Sequence, residues 1–175
     1  MPKVKVATAW FSGCAGCHMS FLDLDERLIE LAEQVEIVYS PIVDRKEFPT
    51  GVDVALIEGA VGNSEHLELL RKIRDRSRVV VALGDCAVTG NVPSMRNPIP
   101  RAEVLREVYG SGSVPGLEEG AVPRLLDQAR PLHMWVPVDA FIHGCPPSAD
   151  RIWRFLRRFL SGETPLLAGE DLRFG

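Results

Sequence analysis

The residues of this chain with most chemistry to offer are its four cysteines: Cys14 and Cys17 in a CAGC segment, Cys86 in LGDCAVTG and Cys145 in HGCPPSAD. Four thiols can close a tetrahedral zinc site or hold a 4Fe-4S cluster with one thiolate per iron. Structural zinc normally draws its ligands as two close pairs on separate knuckles, and here only Cys14 and Cys17 form a close pair. A redox-active CxxC would use that pair and leave Cys86 and Cys145 without a task. A cubane needs all four and tolerates wide separation along the chain. The cluster is therefore the favoured reading, with zinc, a redox dithiol and inert buried cysteine as the alternatives.

Glycines accompany the cysteines. Gly13, Gly16, Gly84, Gly90 and Gly144 would let backbone approach closely and offer N–H groups to sulfur, while Pro146 and Pro147 stiffen the turn after Cys145. Taken singly, each of these residues equally suits an ordinary turn between a strand and a helix.

To bring the thiols together the chain needs a scaffold, and its apolar periodicity supplies one. Lys3 to Trp10, Val35 to Tyr39, Val52 to Ile57, Val79 to Leu83 and Pro137 to Ile142 read as strands, the fourth being the unbroken β-branched run typical of a strand buried on both faces. Between them, helical spacing recurs from Ser20 through Phe21, Leu24, Leu28, Leu31 and Ala32, from Ser64 to Arg74, and from Ser148 to Leu160; a short helix is expected at Arg101 to Tyr109. Strands alternating with helices predict a flavodoxin-like α/β fold, a mostly parallel sheet with helices on both faces. Asn91 to Pro100 and Gly110 to Pro123 read as long surface connections. Each cysteine follows a strand, so all four fall at the C-terminal edge of the sheet, where open α/β folds place their sites.

Composition sets the outer limits. The 175 residues form one expected domain, 1–175, and 20 Lys+Arg against 24 Asp+Glu give a net charge of −4, which disfavours a nucleic-acid partner. Apolar residues at 46% and charged residues at 25% are those of an ordinary folded protein. No apolar run approaches the ~20 residues of a membrane span, and neither a signal-peptide core nor a twin-arginine pair precedes Ser12. A cytoplasmic location, with reduced thiols, is the expectation.

CAGCHMSFLD, Ile57 to Val61 (IEGAV), GDCAVTGNV and GCPPSAD together resemble the small subunit of nickel-iron hydrogenases, in the short form found in cytoplasmic NAD-reducing enzymes. The resemblance covers nearly the whole chain. It implies that Cys14, Cys17, Cys86 and Cys145 hold one proximal 4Fe-4S cluster beside a NiFe centre carried by a large subunit. It also implies diaphorase subunits with further iron-sulfur clusters, FMN and the NAD site, so that this chain relays electrons and has no complete active site of its own. Many members of that family carry a proline where this chain has His143, which leaves the ligand set intact and alters the potential and protonation expected there. No cysteine follows Cys145, so one cluster is the expected number. A related alternative is the cluster-bearing subunit of a respiratory NADH:quinone oxidoreductase, but that resemblance calls for two adjacent cysteines, and Ala15 and Gly16 separate Cys14 from Cys17. A zinc-stabilised binding module is the alternative from another class.

Glu58, at the end of a strand, faces the cysteine edge as a proton or hydrogen-bond partner of the metal site, or as half of a salt bridge. His18 is placed to bond a sulfide or to cap the following helix. His66 is expected on a solvated helix face. Trp10 and Phe11 are read as core aromatics that shield the cysteine loop. Arg151, Arg154, Arg157 and Arg158 are read as solvated arginines along the last helix, with a partner-facing surface as the other reading. A flavin in this chain is not expected, because the loop after the first strand carries cysteines in place of Ser/Thr donors.

Overall fold

Buried parallel strands have no wet side to alternate with, and five apolar runs in this chain become such strands. The computed structural model describes residues 2–110, 114–163 and 169–172. In chain order the strands are β1 (Val4–Trp10), β2 (Val35–Tyr39), β3 (Val52–Glu58), β4 (Val61–Asn63), β5 (Ser77–Leu83), β6 (Leu125–Arg130) and β7 (Ala140–Ile142). β2, β1, β3, β5 and β7 lie side by side in that order, all parallel, which is the flavodoxin-like 2-1-3-4-5 arrangement of a main sheet.

The helices are α1 (Gly16–Leu22), α2 (Arg27–Gln34), α3 (Ser64–Arg76), α4 (Asp85–Thr89), α5 (Asn91–Ser94), α6 (Arg101–Tyr109) and α7 (Ala149–Leu160). Side chains alternate through the sheet into two apolar layers. Val6, Val54 and Leu56 meet Phe21, Leu24 and Leu31 of the first helical stretch and Ile152, Phe155 and Leu156 of α7. Ala7, Ala55 and Ile57 face the other way, onto Leu70 and Ile73 of α3. Fully burying a Leu, Ile or Phe contributes roughly 1.5–3 kcal/mol, so α7, with three such residues wholly buried, is a principal anchor of its layer.

Several elements depart from the sequence reading. The single helix expected from Ser20 is two, broken where Asp25 adopts φ 51° and the chain makes turns from Leu24 to Ile29. Its apolar stripe continues because those turns keep Leu24 and Leu28 on the inner side. The last strand is only Ala140–Ile142, because Asp139 turns its carboxylate onto the Val80 N–H and Arg74 before pairing begins. Ser148 is the cap of α7: its Oγ accepts the Arg151 N–H at 3.3 Å. The connection at 91–100 opens with α5, and the connection at 110–123 lies partly outside the described residues. β4 and β6 form an unexpected antiparallel ribbon, Val61 opposite Arg130 and Asn63 opposite Leu125.

Candidate metal centre

Trp10, Glu58, Leu83 and Ile142 stand in one row across the sheet, each paired with the next. The chain leaves the sheet from this row, and the cysteine-bearing segments begin there. Cys86 and Cys145 come three residues after Leu83 and Ile142, and Cys14 comes four after Trp10. Register alone therefore gathers thiols from distant parts of the sequence.

All four cysteines are free thiols; Cys17 is buried, Cys86 half-buried, and Cys14 and Cys145 are exposed. Cys14, Cys86 and Cys145 line one cavity of about 470 Å³ with Ser12, Val92 and Arg96. Cys17 packs behind it against Gly84, whose φ of 81° and missing Cβ are both required: an added Cβ would collide with the Cys17 sulfur. The loop carrying Cys145 is held from below. Asp85 Oδ1 accepts the Gly144 N–H at 2.8 Å, the Gly84 N–H bonds the Ile142 carbonyl at 2.8 Å, and Ser20 Oγ donates to the Pro147 carbonyl at 2.5 Å. That last bond ties α1, which starts from the Cys14–Cys17 loop, directly to the Cys145 loop.

Glu58 is 2% exposed and closes the first loop. Oε1 accepts the Cys17 N–H at 3.3 Å, and Oε2 accepts the His18 N–H at 3.0 Å and lies 2.6 Å from His18 Nδ1. Glu58 is thus a strand-end carboxylate that contacts His18 and holds the backbone of the cysteine loop. His18 spends its Nδ1 on Glu58 and caps no helix. His143 is half-buried, and its carbonyl accepts from Arg151 Nη1 at 2.8 Å.

The surroundings of the two less exposed thiols disfavour their thiolate forms. Burial pushes the Cys17 thiol well above its ordinary range, and the Glu58 carboxylate and the other three cysteines push it further. Cys86 is raised by burial and then by Cys145, Cys14 and Glu58, while the Val92 N–H donated to its sulfur works the other way. Four thiolates this close repel one another, so the set becomes anionic only with a cationic centre to offset it, and binding such a centre releases protons. Among the described residues, no group of three or more His, Cys, Asp or Glu is arranged to hold a metal ion. Three thiols around one cavity with a fourth packed behind it are donors of the type a 4Fe-4S cluster takes.

Three sequence expectations change. His66 is no solvated residue: its ring stacks on Phe11 at 4.8 Å, Nδ1 accepts the Gly62 N–H at 3.4 Å, and burial lowers its pKa to about 4. Phe11 is core, but Trp10 is 43% exposed, because it sits at the strand end with its ring edge toward His18. Arg151 is 8% exposed, drawn under the Cys145 loop by the His143 carbonyl, whereas Arg154 reaches out to Asp171 at 2.5 Å.

Two residues near the thiols escaped the sequence reading. Asn91 donates to Cys145 Sγ at 3.4 Å, and Asp85 pins Gly144. The signals were faint: a Gly-Asn dipeptide that reads only as a turn, and an acid in the first turn of a helix.

The family model described as NADH ubiquinone oxidoreductase, 20 Kd subunit, matches residues 14–159. A vhu-type F420-non-reducing hydrogenase subunit of Methanocaldococcus jannaschii is 39% identical over 171 residues, covering 94% of this chain and 58% of that relative, so the chain spans little more than half of that protein. The NAD-reducing hydrogenase HoxS subunit delta of Cupriavidus necator is 38% identical over 167 residues, 91% of this chain and 80% of that one. A crystal structure of an NAD+-reducing NiFe hydrogenase in the H2-reduced state contains a chain 41% identical to this one, with a TM-score of 0.89 over 99% of this chain and 100% of that chain.

Proposed function

Because this chain belongs to the family of the NADH ubiquinone oxidoreductase 20 Kd subunit, we propose that it is the electron-transfer small subunit of a cytoplasmic NAD-reducing NiFe hydrogenase, a single flavodoxin-like domain with one 4Fe-4S cluster. The observation that carries this reading is the gathering of four free thiols at one edge of a fold that matches, over almost its whole length, a chain of an NAD+-reducing NiFe hydrogenase. Cys14, Cys17, Cys86 and Cys145 are the thiolates that hold the cluster.

When bound, the cluster supplies one-electron storage and release. The chain's own residues make that possible. Glu58 holds the backbone of Cys17 and His18, so the first two thiols keep a fixed spacing. The Glu58–His18 contact, at 2.6 Å, also fixes an imidazole beside the proposed metal site, and His143 places a further imidazole on the Cys145 loop. Exposed Cys14 and Cys145, together with exposed Val92 and Met95, form the face that meets the large subunit and its NiFe centre. Electrons leave toward diaphorase iron-sulfur and flavin subunits that carry further clusters, FMN and the NAD site.

The respiratory NADH:quinone oxidoreductase is the second reading, favoured by the family description. The separation of Cys14 from Cys17 by Ala15 and Gly16 stands against it.

Purification under anaerobic conditions through a tag on this chain, with the large and diaphorase subunits co-expressed, tests the proposal. A brown complex containing iron and acid-labile sulfide that reduces NAD+ under hydrogen is the expected result. A colourless, zinc-containing chain that captures no large subunit overturns it.

A further inference from the structure

One side-chain amide donates to one of the four sulfurs: Asn91 Nδ2 reaches Cys145 Sγ at 3.4 Å. The other side of the site is the reverse in sign. Glu58 holds a buried carboxylate against the Cys17 N–H at 3.3 Å. A donor thus stands at Cys145 and a carboxylate at Cys17, while the Asp85 carboxylate accepts the Gly144 N–H and the Arg151 guanidinium donates to the His143 carbonyl beneath the same loop.

The backbone at position 91 favours asparagine over most residues but does not require it. Its φ is 32°, next to Gly90 at 91°, and glycine would occupy that region with less strain. The Ser94 hydroxyl takes the Asn91 carbonyl, a bond any residue could accept. Among the described residues, the side-chain amide makes its hydrogen bond to the Cys145 sulfur alone.

We propose that Asn91 sets the reduction potential of the cluster, raising it through its amide N–H on the Cys145 sulfur, in opposition to the carboxylate of Glu58 at Cys17. This rests on the cluster reading given above. Reduction adds one electron, makes and breaks no bond and takes up no proton; the group on the thiolates becomes more negative by one charge. An N–H on a ligating sulfur stabilises that more negative form more than the oxidised one, so the potential rises. Glu58 acts in the other direction by simple repulsion. The electron comes from the hydrogen oxidised by the partner, and in the test from dithionite.

The test uses the co-purified complex carrying Asn91→Gly or Asn91→Asp, with iron and sulfide counted first and the cluster then titrated with dithionite under EPR. Glycine keeps the turn and removes the donor; aspartate keeps the shape and places a carboxylate beside the sulfur. Both variants should titrate at lower potential than the parent, aspartate the lower of the two, with an unchanged melting transition for the glycine variant. A residue that only shapes the turn would leave the potential where it was. Cluster-loaded variants that both titrate at the parental potential overturn the proposal, whereas a parent complex without iron and sulfide overturns the cluster reading before any variant is compared.

Discussion

Glu58 and His18 are joined twice: one carboxylate oxygen accepts the His18 N–H at 3.0 Å and lies 2.6 Å from the same residue's Nδ1. α1 has no side-chain cap of its own, since Ala15 at its start sits in the left-handed region with nothing to offer the free N–H groups. The carboxylate that serves them comes from the end of β3, on the far side of a crossover. A buried carboxylate is costly unless it is paired and bonded, and this one accepts two backbone N–H groups and contacts the His18 ring. The strand thereby holds the loop that carries half of the thiols.

Replacing Glu58 by alanine orphans the Cys17 and His18 N–H groups and should cost about 2–4 kcal/mol. Glutamine, which keeps one acceptor, should cost less. Urea unfolding of the purified chain checks the order: the midpoint falls furthest for Glu58→Ala while the slope stays constant. Iron bound per chain should fall in the same order. Equal midpoints for parent and alanine variant would show that the three bonds contribute nothing.

Thiol reactivity should follow burial. In the cluster-free chain at pH 8, iodoacetamide should label Cys145 and Cys14 first, Cys86 more slowly and Cys17 last, because only the thiolate reacts and burial with nearby negative charge keeps Cys17 protonated. Peptide mass spectrometry over time reads the order directly. Labelling of Cys17 ahead of Cys145 would contradict the arrangement of the loops.

Gly84 and Gly51 both have positive φ, 81° and 69°, but different surroundings. An added Cβ at Gly51 meets open space, whereas at Gly84 it meets the Cys17 sulfur. Gly51→Ala should cost only backbone strain, on the order of 1 kcal/mol. Gly84→Ala should cost more and should also lower iron retention, because Cys17 must move. Paired melting curves and iron assays distinguish the two, and equal loss at both positions would mean that the contact at Cys17 is unimportant.

The main sheet was legible because strands buried on both faces leave a continuous apolar signature, as Val79 to Leu83 does. The convergence of the cysteines followed from topology, since a parallel sheet sends every strand end the same way. β4 and β6 were not legible. Leu-Leu-Asp-Gln-Ala-Arg neither alternates cleanly nor runs apolar, and its pairing with Val61 to Asn63 is a tertiary event. Asp25 hid the break between α1 and α2 because the apolar spacing passes through it in phase. Asn91 was missed and Arg151 misread for a shared reason: a polar side chain's partner, here a sulfur and a carbonyl in the Cys145 loop, is decided by the fold and leaves no periodicity in the chain.

His66 makes stability depend on pH. Its pKa falls from 6.5 to about 4 because its ring is buried on Phe11, so the unfolded chain binds a proton in a range where the folded chain does not. The stabilising effect is complete above pH 6.5 and is lost as pH falls toward 4. Allowing for the partial exposure of the ring, roughly 1–2 kcal/mol is at stake. The melting temperature of the parent should drop more steeply across that window than that of His66→Gln, and parallel curves would remove the effect from this residue.

The Ser20–Pro147 bond spans 127 residues of sequence and joins the first cysteine loop to the last. Its consequence falls on synthesis. Chains emerge from the ribosome N-terminus first, and Cys14, Cys17 and Cys86 are all exported well before β7 and the Cys145 loop exist. Until then the Leu83 edge of the sheet lacks its neighbour, α1 lacks its tether, and three thiols wait without the fourth. Under the ligand set proposed above, loading of the cluster needs the Cys145 loop, and a nascent chain arrested before residue 140 should have nowhere to keep it.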